Sequence, residues 1–573
     1  MRFLRSLLVL VMVVSVSGCA GESKPAADAV YFGGDILTMA GDSASYVEAL
    51  AVKDGRIAAT GTKAEILKLA GRATRRVDLA GRTLLPGFID GHSHLLNVAD
   101  GLVQANLNPP PVGKVRTIPD LVEQIRALKA SLGASDTTVL IGQGYDQSFL
   151  EEHRHPTAAD LDAAFPTNPV ILLHVSGHML VANSAALRLG GITAATKDPV
   201  GGTIIRKPGT REPEGLLQET GMYFLKDAIK APRAMEVDLD LLKRTLAAYA
   251  ENGYTTAQEG MLFAEKRPLL ERAAQDSLLT IDVVALPSYV DAKELVGTGR
   301  IEWGTYRNHL KYGGLKLALD GSPQGKTAYL TSPYLTPVPG CSGACSGFPT
   351  MPQADVNALF TLCYQNHVQL YSHCNGDASI DMMIAAHRAA EQALGETSTD
   401  RRTVIIHSQI TRPDQLQAYQ QYGLVPSYFA NHTYYWGDVH RANLGPERAA
   451  FISPLKSTLA LGVRATTHTD ASVTPLDPMF LLWTTVNRIM RSGQVLGPDE
   501  RVTPYQGLLA LTSNGAYEYF EEKTKGTLEV GKLADFVMLD RNPLKVDPMA
   551  IKDIRVMGTV KEGRDVYARS DAK

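Results

Sequence analysis

The sequence predicts an α/β protein: a (β/α)8 barrel, a β-sandwich built from both ends of the chain, and an inserted lid-like segment. Two observations lead to this fold. Seven apolar runs of strand length between residues 254 and 468 are separated by helical stretches, and an eighth run precedes them at 83–89. Two β-rich segments flank that series. The 573 residues are enough for more than one domain.

The first 19 residues have the pattern of an export signal. A short basic start precedes an apolar run at 7–14 that is too short to cross a bilayer. Small residues then lead to Cys19, which resembles a bacterial lipoprotein processing site. We therefore expect lipidation of Cys19, export, and anchoring to a membrane of a bacterial cell envelope, with residues 20–29 as a tether. An ordinary signal peptide with a chance cysteine is the alternative.

The β-sandwich is predicted from residues 30–85 and 524–570. Residues 30–52 alternate apolar and polar side chains, and Asp54-Gly55 between two short runs is a hairpin signal. Apolar runs of strand length recur near the end of the chain, at 534–539, 554–560 and 563–567. Both ends together therefore predict one composite domain.

The barrel is predicted to span residues 86–523. Its first strand is the apolar run 83–89, and seven more follow at 254–258, 279–286, 314–319, 368–373, 403–407, 424–428 and 463–468. Residues 105–225 are rich in Gly and Pro, so we interpret them as an irregular insertion. Active sites of such barrels lie where the strands end.

The first strand leads to His92-Ser93-His94. Residues i and i+2 of a strand project to the same side, so this pair can reach one metal ion. Imidazole suits zinc, copper, nickel and iron alike. A surface turn is the better interpretation of an isolated pair of this kind, and the later strands decide against it.

Four of the later strands carry further candidate ligands. They are Lys316 inside an otherwise apolar run, His373, His407, and Asp470, which comes just after His468. A buried lysine is rare unless it is paired or functional. Any single histidine could be a core residue, but their recurrence in phase with the strands predicts a metal site.

This ligand series is similar to that of the amidohydrolase superfamily. Gly201 to Ile204, residues 319–322, residues 373–377 and the closing segment 525–535 resemble its N-substituted formamide deformylase-like branch. The resemblance implies one or two divalent ions, zinc above all, held by His92, His94, His373 and His407. It also implies that Asp470 is both a ligand and the catalytic proton carrier, and that Lys316 is carboxylated and bridges two ions.

One departure from the branch concerns the substrate. Branch members commonly carry Gly-Ser-Asp where this chain has His468-Thr469-Asp470. We expect His178 and His432 to contact the substrate, and His468 either to contact it as part of the pocket or to support a ligand from behind. For His178 and His432 a structural role stays equally open.

These observations predict a hydrolase that cleaves a non-peptide carbon–nitrogen bond of N-acyl or N-formyl amide type through metal-activated hydroxide. The alternatives are a hydrolase of cyclic amides, esters or lactones, a deaminase, and a non-catalytic solute-binding lipoprotein. The formal charge of −3 gives no sign of a nucleic-acid surface, so we expect a small amide-like substrate. Homo-oligomer formation stays open. Cys341 and Cys345 are expected to pair as a disulfide in an oxidising compartment.

Overall fold

The computed structural model describes residues 26–229, 233–395 and 399–570. The predicted export signal and Cys19 lie outside the described residues, so their prediction stays as it was. No helix within the described ranges combines the length and apolar character that a bilayer span requires.

The first sheet joins the two ends of the chain. Phe536–Leu539 pairs antiparallel with Thr83–Pro86, which lies beside the first strand. The hairpin turn at Asp54-Gly55 has positive φ at both residues, as the sequence indicates. The eight strands are Ala27–Leu37, Tyr46–Lys53, Arg56–Gly61, Ala70–Asp78, Thr83–Pro86, Phe536–Leu539, Val556–Lys561 and Arg564–Ala568. The predicted tether at 20–29 was therefore too long, because Ala27 already pairs in this sheet.

The apolar run 83–89 is two strands rather than one. Thr83–Pro86 belongs to the sheet of the chain ends, whereas Phe88–Ile89 pairs parallel with Tyr254–Leu262. Gly87 separates them, and a Cβ there would collide with the Thr255 side chain. A continuously buried run does not reveal that it changes sheets.

Two five-stranded sheets follow, parallel apart from the short strand Tyr306–Arg307. One contains Phe88–Ile89, Tyr254–Leu262, Asp282–Pro287, Tyr306–Arg307 and Leu310–Tyr312; the other contains Leu315–Ala318, Leu370–Cys374, Val404–His407, Val425–Tyr428 and Thr466–Thr467. Seven of these strands overlap the runs predicted after the first strand. Buried Leu, Ile, Val and aromatic side chains pack between the strands and the helices around them.

The α-helices of the described ranges separate and cover the strands. They are Lys63–Leu67, Leu95–Gly101, Ile118–Leu132, Ala158–Asp162, Ser184–Leu189, Lys226–Ile229, Met235–Glu251, Arg267–Gln275, Ala292–Leu295, Gln353–Gln365, Asp377–Leu394, Pro413–Tyr422, His432–Leu444, Pro446–Ala450, Leu455–Ala460, Pro478–Asn487, Pro504–Leu511 and Ser513–Glu518.

The region predicted as an irregular insertion contains a six-stranded sheet of its own. Its strands are Ala105–Asn106, Leu140–Tyr145, Val170–His174, Met179–Ala182, Gly202–Arg206 and Pro213–Glu219. One of the glycines that suggested irregularity lies within a strand: Gly144 has φ 102° where the register of its strand shifts. A disulfide joins Cys341 to Cys345 in the long loop after Leu315–Ala318.

A buried group of ion pairs connects the sheet of the chain ends to the parallel sheets. Asp282, the first residue of its strand, contacts both Lys525 and Lys561, and Lys561 also lies 2.9 Å from Asp535. Glu521 pairs with Lys525 at 2.8 Å and also with Lys311. Buried charges are tolerated only when they are paired, so this network holds the two parts together.

We expect Asp282→Asn to lower the free energy of unfolding by about 3 kcal/mol at pH 7, because the change leaves two buried lysines short of one carboxylate. Lys525 and Lys561 hold the pKa of Asp282 below its usual value. Its contribution is therefore complete above the unfolded-state pKa of about 3.9 and is lost as the pH falls below it. Chemical denaturation at pH 7 and near pH 3 measures both effects.

Asp276→Asn is the matched control. Asp276 forms an exposed pair with Arg272, and such pairs contribute at most about 1 kcal/mol. Equal destabilisation by the two variants, or a loss for Asp282→Asn that does not shrink in acid, would contradict the role of the network.

Candidate metal centre and active site

The ends of several parallel strands bring Asp470 against three histidines. Asp470 Oδ1 lies 3.6 Å from His92 Nε2 and 3.5 Å from His94 Nε2, and Asp470 Oδ2 lies 4.0 Å from His407 Nε2. Although Asp470 is buried, its Oδ1 atom accepts no hydrogen bond from the described residues. A buried carboxylate oxygen without a donor is costly and points to a cation.

The two remaining predicted ligands flank this group. Lys316 Nζ lies 3.0 Å from His92 Nε2, and His373 Nδ1 lies 3.0 Å from His407 Nε2. The structure therefore brings all six predicted ligands together. The sequence reasoning assumed that His92 and His94 lie on a strand, but they do not. The strand ends at Ile89, and His94 is the N-cap of the helix Leu95–Gly101.

Burial sets the charges of these groups. It lowers the pKa values of His92, His373 and His407 well below their ordinary value, so the rings are neutral at pH 7. Burial also lowers the pKa of Lys316 and raises that of Asp470, although each opposes the shift of the other. Neutral imidazoles and a carboxylate are the forms that bind a divalent ion.

The residues fit a divalent metal ion. Ligands of a tetrahedral zinc ion, bonded at about 2.0–2.1 Å, lie about 3.3 Å apart. The separations of 3.0–4.0 Å among these nitrogen and oxygen atoms match that spacing. Two of the predicted ligands, His407 and Asp470, also have the left-handed backbone (φ 71° and 50°) that is uncommon outside glycine.

Residues that the sequence reasoning missed hold the ligands in place. Gln258 Oε1 lies 2.6 Å from His92 Nδ1 and accepts a hydrogen bond from its N–H, which leaves a lone pair on Nε2. Asp320 accepts hydrogen bonds from the backbone of Asn375, Gly376 and Tyr329, so it shapes the loop after His373. A buried glutamine at the end of the run 254–258 is a weak signal that could have identified Gln258.

A small cavity adjoins the ligands. His178 and His432 line it, together with Asp470, Phe429 and Asn375. His178 Nδ1 lies 2.8 Å from the Glu219 carboxylate. Burial lowers the pKa of His178, but Glu219 outweighs this effect and the net shift is upward.

His468 lies beside the ring of His407. It is not among the residues that line the cavity, and its Nε2 lies 3.1 Å from His407 Nδ1. Ser427 Oγ lies 2.9 Å from its other nitrogen. His468 therefore fixes the orientation of the His407 ring from behind.

A second cavity, of about 590 Å³, lies at the opposite ends of the strands. Asp282, His309 and Glu562 come close together there in an arrangement that could hold a metal ion. Lys525 and Lys561 already neutralise Asp282, however, and His309 Nδ1 lies 2.7 Å from it. This cavity is therefore not a candidate for the chemistry.

The amidohydrolase family model matches residues 75–567, which include every ligand described above. The chain belongs to the amidohydrolase family. It is thus a hydrolase of the metal-dependent amidohydrolase superfamily, whose members act on small molecules. This family membership confirms the resemblance seen in the sequence.

Several known proteins are similar to this amidohydrolase over nearly their whole length. The N-substituted formamide deformylase of Arthrobacter pascens is 27% identical over 537 residues, 92% of this chain and 96% of the relative. The protein LONG AFTER FAR-RED 3 of Arabidopsis thaliana is 28% identical, covering 94% and 92% of the two chains. An uncharacterised metal-dependent hydrolase of Pyrococcus horikoshii has a TM-score of 0.70 at 22% identity, covering 91% of this chain and 99% of that one. The last likeness shows the shared α/β fold.

Proposed function

We propose that this amidohydrolase cleaves the carbon–nitrogen bond of an N-acyl or N-formyl amide outside peptides. The observation that carries the proposal is the unpartnered Asp470 Oδ1, which lies within reach of His92 and His94, on a residue that lines the cavity. The similarity to a formamide deformylase supports an amide rather than another bond.

The proposed ligands are His92, His94, His373, His407, Lys316 and Asp470, holding one or two divalent ions, with zinc the first choice. A bound ion of this kind lowers the pKa of a coordinated water to about 7 and polarises a carbonyl oxygen. Burial lowers the pKa of Lys316, which favours the neutral amine that carboxylation needs.

Asp470 is the proposed proton carrier. Its carboxylate takes a proton from the attacking water while the water oxygen bonds to the carbonyl carbon. Asp470 then gives that proton to the leaving nitrogen as the carbon–nitrogen bond breaks. The products are a carboxylic acid and an amine. His178, oriented by Glu219, lines the same cavity and is proposed to contact the substrate.

We also propose that eight strands of the two sheets close into one barrel, namely Phe88–Ile89 and the seven strands that overlap the predicted runs. Support comes from contacts at both seams. Ser288 pairs with Lys316 at one seam. At the other, His92 O accepts from Asp470 N at 3.2 Å and His94 N donates to Ala471 O at 2.7 Å. A crystal structure with either seam open would contradict the closure. The domain boundaries at 86 and 523 remain predictions.

Asp470→Asn is expected to lower kcat on the best amide substrate by about 10²–10⁴-fold, because the amide cannot carry the proton. The measurement is a panel of N-formyl and N-acetyl amines with matched esters and lactones. Asp438→Asn, at an exposed carboxylate that accepts from Ser492, is the control. Wild-type hydrolysis of esters or lactones alone would favour the alternative bond, and no hydrolysis at all would favour solute binding.

Elemental analysis of the wild type is expected to find two divalent ions per chain, falling to one or none in Lys316→Ala. The exposed Lys456→Ala is the matched control. One ion in both the wild type and Lys316→Ala would make Lys316 structural and the site mononuclear. No metal in any of them after reconstitution would overturn the metal-dependent mechanism.

Export and lipid anchoring through Cys19 also remain our proposal, supported by the sequence pattern at residues 1–19. Mass spectrometry of protein from a bacterial membrane fraction should find the chain beginning at lipidated Cys19. Cys19→Ala should instead yield unprocessed or unlipidated chain. An unmodified Cys19 in the wild type would refute the anchor.

A further inference from the structure

His432 occupies a rigid position at the cavity. It begins the helix His432–Leu444, and its ring is held between Phe429 and Trp436, with ring centroids 4.4 and 4.5 Å away. Trp436 is itself fixed, because its indole Nε1 donates to Asp146 Oδ2 at 2.7 Å. The ring therefore cannot turn to suit different substrates.

A second buried histidine contacts one nitrogen of that ring. His432 Nδ1 lies 3.0 Å from His440 Nε2, and the two rings are nearly parallel, 6° apart. Burial lowers the pKa of His440 to about 3 and that of His432 well below its ordinary value, so both rings are neutral. A neutral imidazole has one N–H and one lone pair, so only one ring donates in this contact.

The surroundings of His440 Nδ1 indicate which of the two rings donates. His440 Nδ1 is buried and has no hydrogen-bond partner among the residues described. Buried N–H groups without an acceptor are rare in proteins, whereas unpaired acceptors are more often tolerated. The proton of His440 therefore sits on Nε2 and is donated to His432 Nδ1.

The proton of His432 must then sit on Nε2. No hydrogen bond occupies that atom in the described parts of the chain, and His432 lines the cavity beside His407 and Asp470. The other arrangement would bury an unsatisfied N–H on His440 and present only a lone pair to the cavity.

We propose that His440 is a positioning residue that fixes His432 as the Nε2–H tautomer, so that His432 donates a hydrogen bond to the carbonyl oxygen of the substrate. The proposal rests on the proposed function for the identity of that oxygen. A fixed neutral donor stabilises negative charge as it develops on the oxygen in the transition state. It also selects substrates with an acceptor at that point.

Tautomers are read directly by ¹⁵N–¹H NMR of the full-length, metal-loaded enzyme labelled at histidine. His432→Gln identifies the His432 signals by their loss. We expect a protonated Nε2 and an unprotonated Nδ1 in the wild type. A proton on His432 Nδ1 would overturn the proposal, whether or not the enzyme hydrolyses amides.

Kinetics with a matched pair of variants tests the consequence. His440→Leu removes the donor at similar volume, whereas the side-chain amide of His440→Gln can still donate. We expect His440→Leu to lower kcat about tenfold or more, with little change in KM. This loss is smaller than the roughly 10²–10³-fold loss of kcat that follows complete removal of such a donor. His440→Gln should recover most of the loss. Melting temperature and metal content show that both variants are folded and loaded.

Equal kcat for His440→Leu and the wild type would also overturn the positioning role. If His440→Leu does not fold, the NMR result and His440→Gln still decide. Failure of the wild type to hydrolyse any amide would count against the proposed function alone, because the tautomer is measured without a substrate.

Discussion

The buried carboxylate of Asp470 is the constraint around which the site is arranged. A carboxylate removed from water needs a donor or a cation, and Oδ1 of Asp470 has no donor in the described structure. What surrounds it is a set of neutral ring nitrogens and one amine of lowered pKa. Such a set is stable around a divalent ion and poorly stable without one, which couples metal binding to the integrity of the site.

At the opposite ends of the strands, buried carboxylates are stabilised by lysines instead of by a metal ion. There the buried carboxylates of Asp282, Asp535 and Glu521 are matched by lysines that the closing segment and the last strands supply. Lys525 belongs to the closing segment whose sequence resembles the family, so that segment has a structural reason for its composition. At one end of the parallel sheets, ion pairs join the strands to the two ends of the chain. At the other end, the carboxylate and the ring nitrogens remain available to bind a metal ion.

The sequence alone was sufficient to select six side chains that the structure brings together and to predict most parallel strands. Each ligand interrupts or ends an apolar run, and such an interruption is visible without coordinates. The partners of those ligands were not visible, because they are distant in the chain: Gln258 is 166 residues from His92. The division of residues 83–89 between two sheets was hidden for a related reason, since both halves are equally buried. A register shift at Gly144 likewise interrupts one strand of the sheet within the insertion.

The histidines around the cavity share one geometric rule with a chemical consequence. In four of them Nδ1 is held by a residue behind the ring, which leaves Nε2 for the centre: His92 with Gln258, His178 with Glu219, His407 with His468, and His432 with His440. An oxygen acceptor behind the ring keeps the proton on Nδ1, so Nε2 of His92 presents a lone pair, as a metal ligand must. Behind His407 and His432 lies the Nε2 atom of another histidine. Which ring donates in each of these contacts decides whether Nε2 of His407 or His432 presents a lone pair or a proton. The chemistry at each Nε2 therefore depends on the residue behind the ring as well as on the histidine itself.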